Sequence, residues 1–70
     1  MTYAEALELV EATQILHEIL DDNEKVAKWL VTENLNLGGA TPMVAFFNGR
    51  GHKVLAFIRA AEWENSQAKS

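Results

Sequence analysis

Residues 37–51 read LGGATPMVAFFNGRG, and they hold two signals that fix much of the fold. Thr41-Pro42 is a helix start, because threonine caps a helix and proline at the first helical position loses no hydrogen bond. Gly49 supplies an end, because glycine most easily adopts the left-handed backbone that closes a helix. The stretch therefore predicts a short third helix from Pro42 to about Asn48, whose interior residues are Met43, Phe46 and Phe47.

Two further helices are predicted upstream. Between Tyr3 and Leu20 apolar residues recur every three or four positions, which is typical of an amphipathic helix, and Thr2 with Glu5 has the spacing of a capping box. Asp21-Asp22-Asn23 ends this helix and offers a cap to a second one, from about Glu24 to Thr32. The predicted core residues of the two helices are Leu9, Ala12, Leu16, Ile19, Leu20, Val26, Trp29 and Leu30.

A loop over residues 33–40 is expected to be held on the core by Leu35 and Leu37, and its paired glycines permit positive φ angles. A fourth helix follows from about His52 to Glu64, and residues 66–70 are predicted to form a flexible polar tail. The residues of the fourth helix that are predicted to face the core are Val54, Phe57, Ile58 and Ala61. The fold class is therefore all-α, a small single-domain bundle of four helices, two longer and two short.

Apolar residues nearly encircle the fourth helix, since Leu55, Ala56, Ala60 and Trp63 stand outside this set. Two interpretations stay open. Either this helix is central and buried all round, or one side covers the core while the other meets a partner protein. In the second case Trp63 is the best anchor, because tryptophan is enriched at binding hot spots.

Composition and charge exclude several classes of function. The chain has 70 residues, enough for one core only, and it has no cysteine, which removes disulfides, zinc-thiolate sites and thiol nucleophiles. Residues 1–24 carry seven acids and no lysine or arginine, within a net charge of -4. Such an acidic surface repels phosphate backbones, so no direct nucleic-acid binding is expected. The sequence predicts no membrane span and no signal peptide, and a cytoplasmic location is expected.

No constellation for catalysis is visible, so we expect a protein that is not an enzyme and that needs no metal and no cofactor. His17 and His52 lack metal-ligand spacing. Residues 49–53 form a glycine-rich basic turn before a helix, which suits either an anion site or, as we favour, a simple turn with solvated bases. A helix-turn-helix outline over helices three and four is disfavoured, because helix four offers few polar readers of DNA bases.

The order of residues resembles the toxin-binding domain of Xre/MbcA/ParS-type antitoxins. The resemblance covers about residues 8–65, and the Leu-Gly-Gly-x-x-Pro element after Trp-Leu is its most specific part. The motif residues are Trp29, Leu30, Asn34, Leu37, Gly38, Gly39, Pro42 and Gly49. The chain departs from the family at Glu33, where proline is usual, and at residues 60–64, where an Arg-Ile-Glu-x-Gly ending is common.

The resemblance implies that residues 1–65 are a bacterial antitoxin domain that binds a RES-domain toxin. Toxins of that family consume NAD or use it to ADP-ribosylate a target, and the antitoxin covers the active-site cleft largely with its C-terminal region. The implied partner-binding residues here are Glu62, Trp63, Glu64 and Asn65, while the loop from Leu37 to Pro42 is implied to be structural. The alternative is a helical dimerisation module of a transcription regulator whose DNA-binding part is absent from this chain, so a second copy is also a candidate partner.

Overall fold

The structure, a computed structural model, describes residues 1–68, and in this range the chain forms four α-helices and no strand. The helices are α1 (Tyr3–Leu20), α2 (Asn23–Leu30), α3 (Pro42–Phe47) and α4 (Gly51–Ala68), and a 3-10 turn (Leu35–Leu37) lies between α2 and α3. The predicted all-α bundle with two longer and two short helices is confirmed.

Two helix ends differ from the prediction. The second helix ends at Leu30 and not near Thr32, and the fourth runs on to Ala68 instead of ending near Glu64. The first part of the predicted polar tail therefore belongs to α4, because Ser66 and Gln67 do not break a helix that is already formed. Lys69 and Ser70, also placed in that tail, lie outside the described residues.

The helix starts follow the local sequence. Thr2 and Glu5 form the predicted capping box: the hydroxyl of Thr2 accepts from the Glu5 N–H at 3.1 Å, and the Thr2 N–H donates to Glu5 Oε1 at 2.8 Å. Asp22 accepts from the Glu24 N–H at the start of α2, and Thr41 accepts from the Val44 N–H at the start of α3. Each cap satisfies an N–H that has no partner inside its helix.

The core lies between α1, α3 and α4, and α2 closes one side. Phe46, Val54 and Ala12 are fully buried, and Ile58 is nearly so. Burying a large apolar side chain contributes roughly 1.5–3 kcal/mol, so these few residues supply much of the stability of so small a domain. The remaining core residues and those packed around them are Leu16, Val26, Ala45, Leu55, Leu9, Ile15, Leu20, Trp29, Leu30 and Leu37.

The two long helices run in the same direction. Near the start of α4, a Cβ placed on Gly51 would lie 3.5 Å from Glu8 of α1, and further along Arg59 forms an ion pair with Glu11. The chain between them, α2 to α3, therefore returns from the end of α1 to its beginning. This path places the start of α4 beside the first half of α1 and the end of α4 beside its second half.

Two side chains predicted to face the core do not. Leu35 is 94% exposed, whereas Leu37 packs on the core, because residues two apart in a 3-10 turn point in different directions. Phe47 is 67% exposed while Phe46 is fully buried, because α3 is short and buries only the face that carries Pro42, Ala45 and Phe46. The predictions for Leu35 and Phe47 were wrong.

Within residues 1–68, neither long helix combines the length and the hydrophobicity that a bilayer-crossing helix requires.

Candidate functional site

The outer face of α4, which we define as Ala56, Ala60, Trp63 and Glu64, is exposed along the length of the helix. Trp63 is 66% exposed. Of the two interpretations of α4, burial on all sides is therefore excluded: one side covers the core and the other is open. An indole of this exposure next to small alanines forms a flat surface with one large protruding anchor, which suits contact with a protein.

The four residues implied to bind a partner do not share one face. Trp63 and Glu64 belong to the outer face, whereas Glu62 and Asn65 are half-buried. Consecutive residues of a helix are turned by about 100°, so a run of four must wrap around the axis. Trp63 and Glu64 are thus brought together as a surface, and Glu62 is turned toward α1, where it meets Glu18.

Charges line the seam between α1 and α4. The pKa of Glu62 is raised above its ordinary value chiefly by the hydrogen bond that its carboxyl shares with Glu18, and also by partial desolvation and the negative charges of Glu18 and Glu11. Arg59 opposes this shift and pairs with Glu11. Both partners of that pair are about half exposed, so it contributes at most about 1 kcal/mol.

The loop between α2 and α3 is held by Asn34, a residue of the motif. Its side-chain oxygen accepts from the Asn36 N–H at 2.9 Å, its carbonyl accepts from the N–H groups of Leu37 and Gly39, and its own N–H donates to Ala40 at 3.0 Å. One residue therefore closes the loop at both ends. This network fixes where the loop meets the beginning of α3.

Other motif residues serve packing and backbone geometry. Trp29 stacks on Phe57 of α4, with ring centroids 6.3 Å apart and planes inclined by 10°, and Pro42 is fully buried. The backbone takes positive φ angles at Gly38 (70°), Gly39 (86°) and Gly49 (75°), the left-handed conformation that glycine adopts without steric cost. Leu30 packs against the core.

A groove of about 300 Å³ opens where the loop, α3 and the start of α4 meet. Leu37, Val44 and Ala45 line its apolar part, and Arg50 and Lys53 stand at its edge with Asn36 and Asn48. We call this surface the basic groove. From the sequence, residues 49–53 were interpreted as a turn with solvated bases, and the groove was not predicted. Its other lining residues, such as Asn36 and Val44, are distant in the chain and come next to this turn only when the loop and α3 fold against α4.

No family model matches the chain, and neither a curated protein nor a solved structure matches it.

A second surface was also missed. Tyr3, Leu7 and Val10 are 79%, 51% and 51% exposed, and they form what we call the α1 stripe. They are spaced by four and three residues, so they share one side of the helix, opposite the side that buries Ala12 and Leu16. This spacing was readable from the sequence as a second apolar stripe on the same helix.

No group of three or more histidine, aspartate or glutamate side chains that could hold a metal ion occurs among residues 1–68. The ring of His17 forms a hydrogen bond with Asn23 at the junction of α1 and α2, where it helps to join the two helices. What the surface does present is an exposed tryptophan, an apolar stripe and a basic groove.

Proposed function

We propose that this chain is an antitoxin-like protein-binding domain that neutralises a RES-type toxin, one that consumes NAD or uses it for ADP-ribosylation, by covering the active-site cleft of that toxin. The observation that carries the proposal is the exposure of Trp63 on the open side of α4, in the region that the resemblance to Xre/MbcA/ParS-type antitoxins implies is used for contact. The RES-type toxin is thus the proposed partner, and the chain itself needs no catalytic group.

The geometry supports contact through one side of α4. Ala56 and Ala60 have short side chains, so a partner can approach the helix closely, and Trp63 then supplies the large buried area that a hot spot needs. Glu64 lies on the same face and offers a carboxylate to cationic groups of a cleft that binds the phosphates of NAD. Glu62 and Asn65, which are half-buried, would contribute at the edge of the interface.

The first experiment is capture from the native host with this chain as bait, followed by mass spectrometry and an assay of NAD consumption by the recovered protein. Recovery of a RES-type protein whose activity this chain suppresses supports the proposal. Recovery of only the bait, as a stable dimer, contradicts it and favours the dimerisation module, for which the exposed α1 stripe is the supporting observation.

A matched pair of variants then locates the contact. Trp63→Ala is expected to stay folded and to weaken inhibition of the toxin by about 30-fold or more, the effect of losing a hot-spot aromatic. Phe47→Ala is the control, because Phe47 is 67% exposed against 66% for Trp63 and lies on α3. Equal inhibition by the two variants would exclude the outer face of α4 as the contact surface.

A further inference from the structure

The basic groove combines an apolar lining with two cations that have no acidic partner in residues 1–68. Leu37, Val44 and Ala45 supply the lining, and Val44 is 47% exposed, so its methyl groups are open to a ligand. Arg50 and Lys53 are both exposed at the edge, and neither forms an ion pair within this part of the chain. No acidic side chain lines the groove. The groove therefore suits an apolar side chain that carries a negative charge close by.

The absence of acids extends well beyond the groove. Residues 34–61 contain no aspartate or glutamate, although the whole chain has a net charge of -4. From α1, Glu5 and Glu8 come near the backbone of the turn before α4, but neither forms an ion pair within the described residues. The third base of this region, Arg59, is paired with Glu11. The groove is thus a local basic site on an acidic protein, and its charge favours a negatively charged ligand.

Two side-chain amides complete the groove. Asn36 and Asn48 line it and are exposed, and neither amide group has a hydrogen-bond partner among residues 1–68. Each amide offers N–H donors and an acceptor oxygen, which match the C=O and N–H groups of an extended peptide. Ligand pockets span roughly 300–1,000 Å³. At about 300 Å³ the groove lies at the lower end of that range, so it is sized for a short piece of peptide.

The groove leads onto the outer face of α4. Lys53 is followed by Ala56, Ala60 and Trp63 at three- and four-residue steps, so these four residues lie along one side of the helix, and all are exposed. Lys53 and Trp63 are about 15 Å apart along the axis at 1.5 Å per residue. A protein segment bound in the groove can continue along this side of α4, whereas a small ion or metabolite would use the groove alone.

We propose that the basic groove binds an acidic segment of a partner protein, one that sets an apolar side chain against Leu37 and Val44 and a carboxylate against Arg50 and Lys53. Arginine can hold a carboxylate through two parallel hydrogen bonds, and the lysine adds a second positive charge. Nucleic acid is a poorer occupant, because two free cations neutralise few phosphates and the acids of α1 repel the rest. This chemistry applies to a RES-type toxin or to any other protein partner.

The test begins with a library of random peptides displayed on phage, selected on the immobilised wild-type chain. The enriched peptides are expected to share an aspartate or glutamate close to a large apolar residue. Fluorescence anisotropy of one labelled, enriched peptide then gives its dissociation constant. The variant Arg50→Glu/Lys53→Glu is expected to weaken binding by about 10-fold or more, the effect of losing a charge-assisted hydrogen bond. A peptide whose apolar residues are replaced by serine should bind the wild type more weakly as well.

The control is Lys25→Glu/Lys28→Glu, which makes the same charge change at two exposed lysines of α2. These lysines border a separate shallow hollow beside Trp29, so their replacement should leave the affinity for the peptide unchanged. The groove variant should stay folded, because acidic residues at the start of a helix suit its dipole, and circular dichroism verifies this. If it unfolds, Val44→Ser takes its place and is expected to weaken binding too.

Several outcomes would overturn the proposal. A selection that enriches no peptide, or only peptides without acidic residues, is one of them. Equal weakening by the two charge variants would mean that the peptide responds only to the total charge of the protein. An unchanged affinity for the serine peptide would mean that the groove holds anions without an apolar contact. No toxin enters these measurements, so they can fail while the proposed function stands, and the reverse.

Discussion

The ring of Phe46 lies directly against the backbone of Gly51: a Cβ built on that glycine would stand 2.5 Å from Cδ1 of the ring. Phe46 is fully buried, so its ring has no free space into which it can turn. The last residues of α3 and the first turn of α4 therefore meet at a point where only a hydrogen atom fits. This contact sets the position of α4 relative to α3.

The first prediction is that Gly51→Ala destabilises the protein. Replacing glycine by alanine in a helix ordinarily stabilises it by up to about 1 kcal/mol, but here the added methyl group overpacks the core and should cost about 1–3 kcal/mol. Urea unfolding followed by circular dichroism measures the difference. Adding Phe46→Leu to Gly51→Ala should remove the steric part of the penalty. An unchanged or increased stability of the single variant would contradict the contact.

A second prediction concerns the neighbouring phenylalanines. Phe46→Ala should cost about 3–5 kcal/mol, because it leaves a cavity in the core, and in a domain of this size that change prevents folding. Phe47→Ala should change the free energy of unfolding by no more than about 0.5 kcal/mol, because its side chain is mostly in water. Thermal unfolding of both variants checks the pair. Similar losses in the two would mean that α3 is rotated from the orientation described.

The third prediction tests why glycine is required at position 38: because of its backbone conformation or because a side chain would not fit. Its φ angle is 70°, but a Cβ there would meet no atom within 4 Å. Gly38→Val should therefore cost about 1–2 kcal/mol or more through the left-handed backbone alone, and Gly38→Asn should cost clearly less, because asparagine tolerates that conformation. Denaturant unfolding of the two variants ranks them. Equal losses would indicate that contact with a side chain, and not the φ angle, selects glycine.

The fourth prediction follows from the raised pKa of Glu62, whose carboxyl shares a hydrogen bond with Glu18. A carboxyl with a raised pKa in the folded state favours folding at low pH, and this contribution is lost as the pH rises through that pKa. Glu62→Gln, which is neutral at every pH, should therefore raise the melting temperature at neutral pH. The gain should shrink and disappear at about pH 4, where the wild-type carboxyl is protonated as well.

The control for this pH dependence is Glu64→Gln, which removes the same charge from the outer face of α4. Its effect on the melting temperature should be smaller, because the carboxyl of Glu62 lies beside Glu18 and near Glu11, whereas Glu64 is on the exposed side. A lower melting temperature for Glu62→Gln at neutral pH would show that the negative charge of Glu62 stabilises the fold.

The order of the helices and most of their ends were predictable because the signals are local. A cap such as Thr2, Asp22 or Thr41 satisfies an N–H two or three residues away, and a left-handed glycine such as Gly49 depends on its own backbone. The end of α4 was less predictable, since its polar residues 65–67 neither favour nor break a helix strongly. Where a residue's role is set within one turn of chain, the sequence is enough to find it.

For the candidate site the sequence was a partial guide. The apolar excess on the fourth helix indicated either a surface for a partner or a fully buried helix. The periodicity of apolar residues does not distinguish these two arrangements. Only the packing of α1 and α3 on one side of α4 decided that Trp63 is exposed. The same packing turned Glu62 toward Glu18, two residues that are far apart in the chain.

By itself, then, the sequence determined an all-α chain, the starts of its helices and the residues that cap and break them, because each of these depends on neighbours within a few positions. The tertiary structure alone decided which of two adjacent phenylalanines is buried, that Leu35 points to solvent, and that the loop, α3 and α4 enclose a groove edged by Arg50 and Lys53. These outcomes depend on contacts between helices that are distant in the chain. Which side chains are buried is decided only when those helices pack against one another.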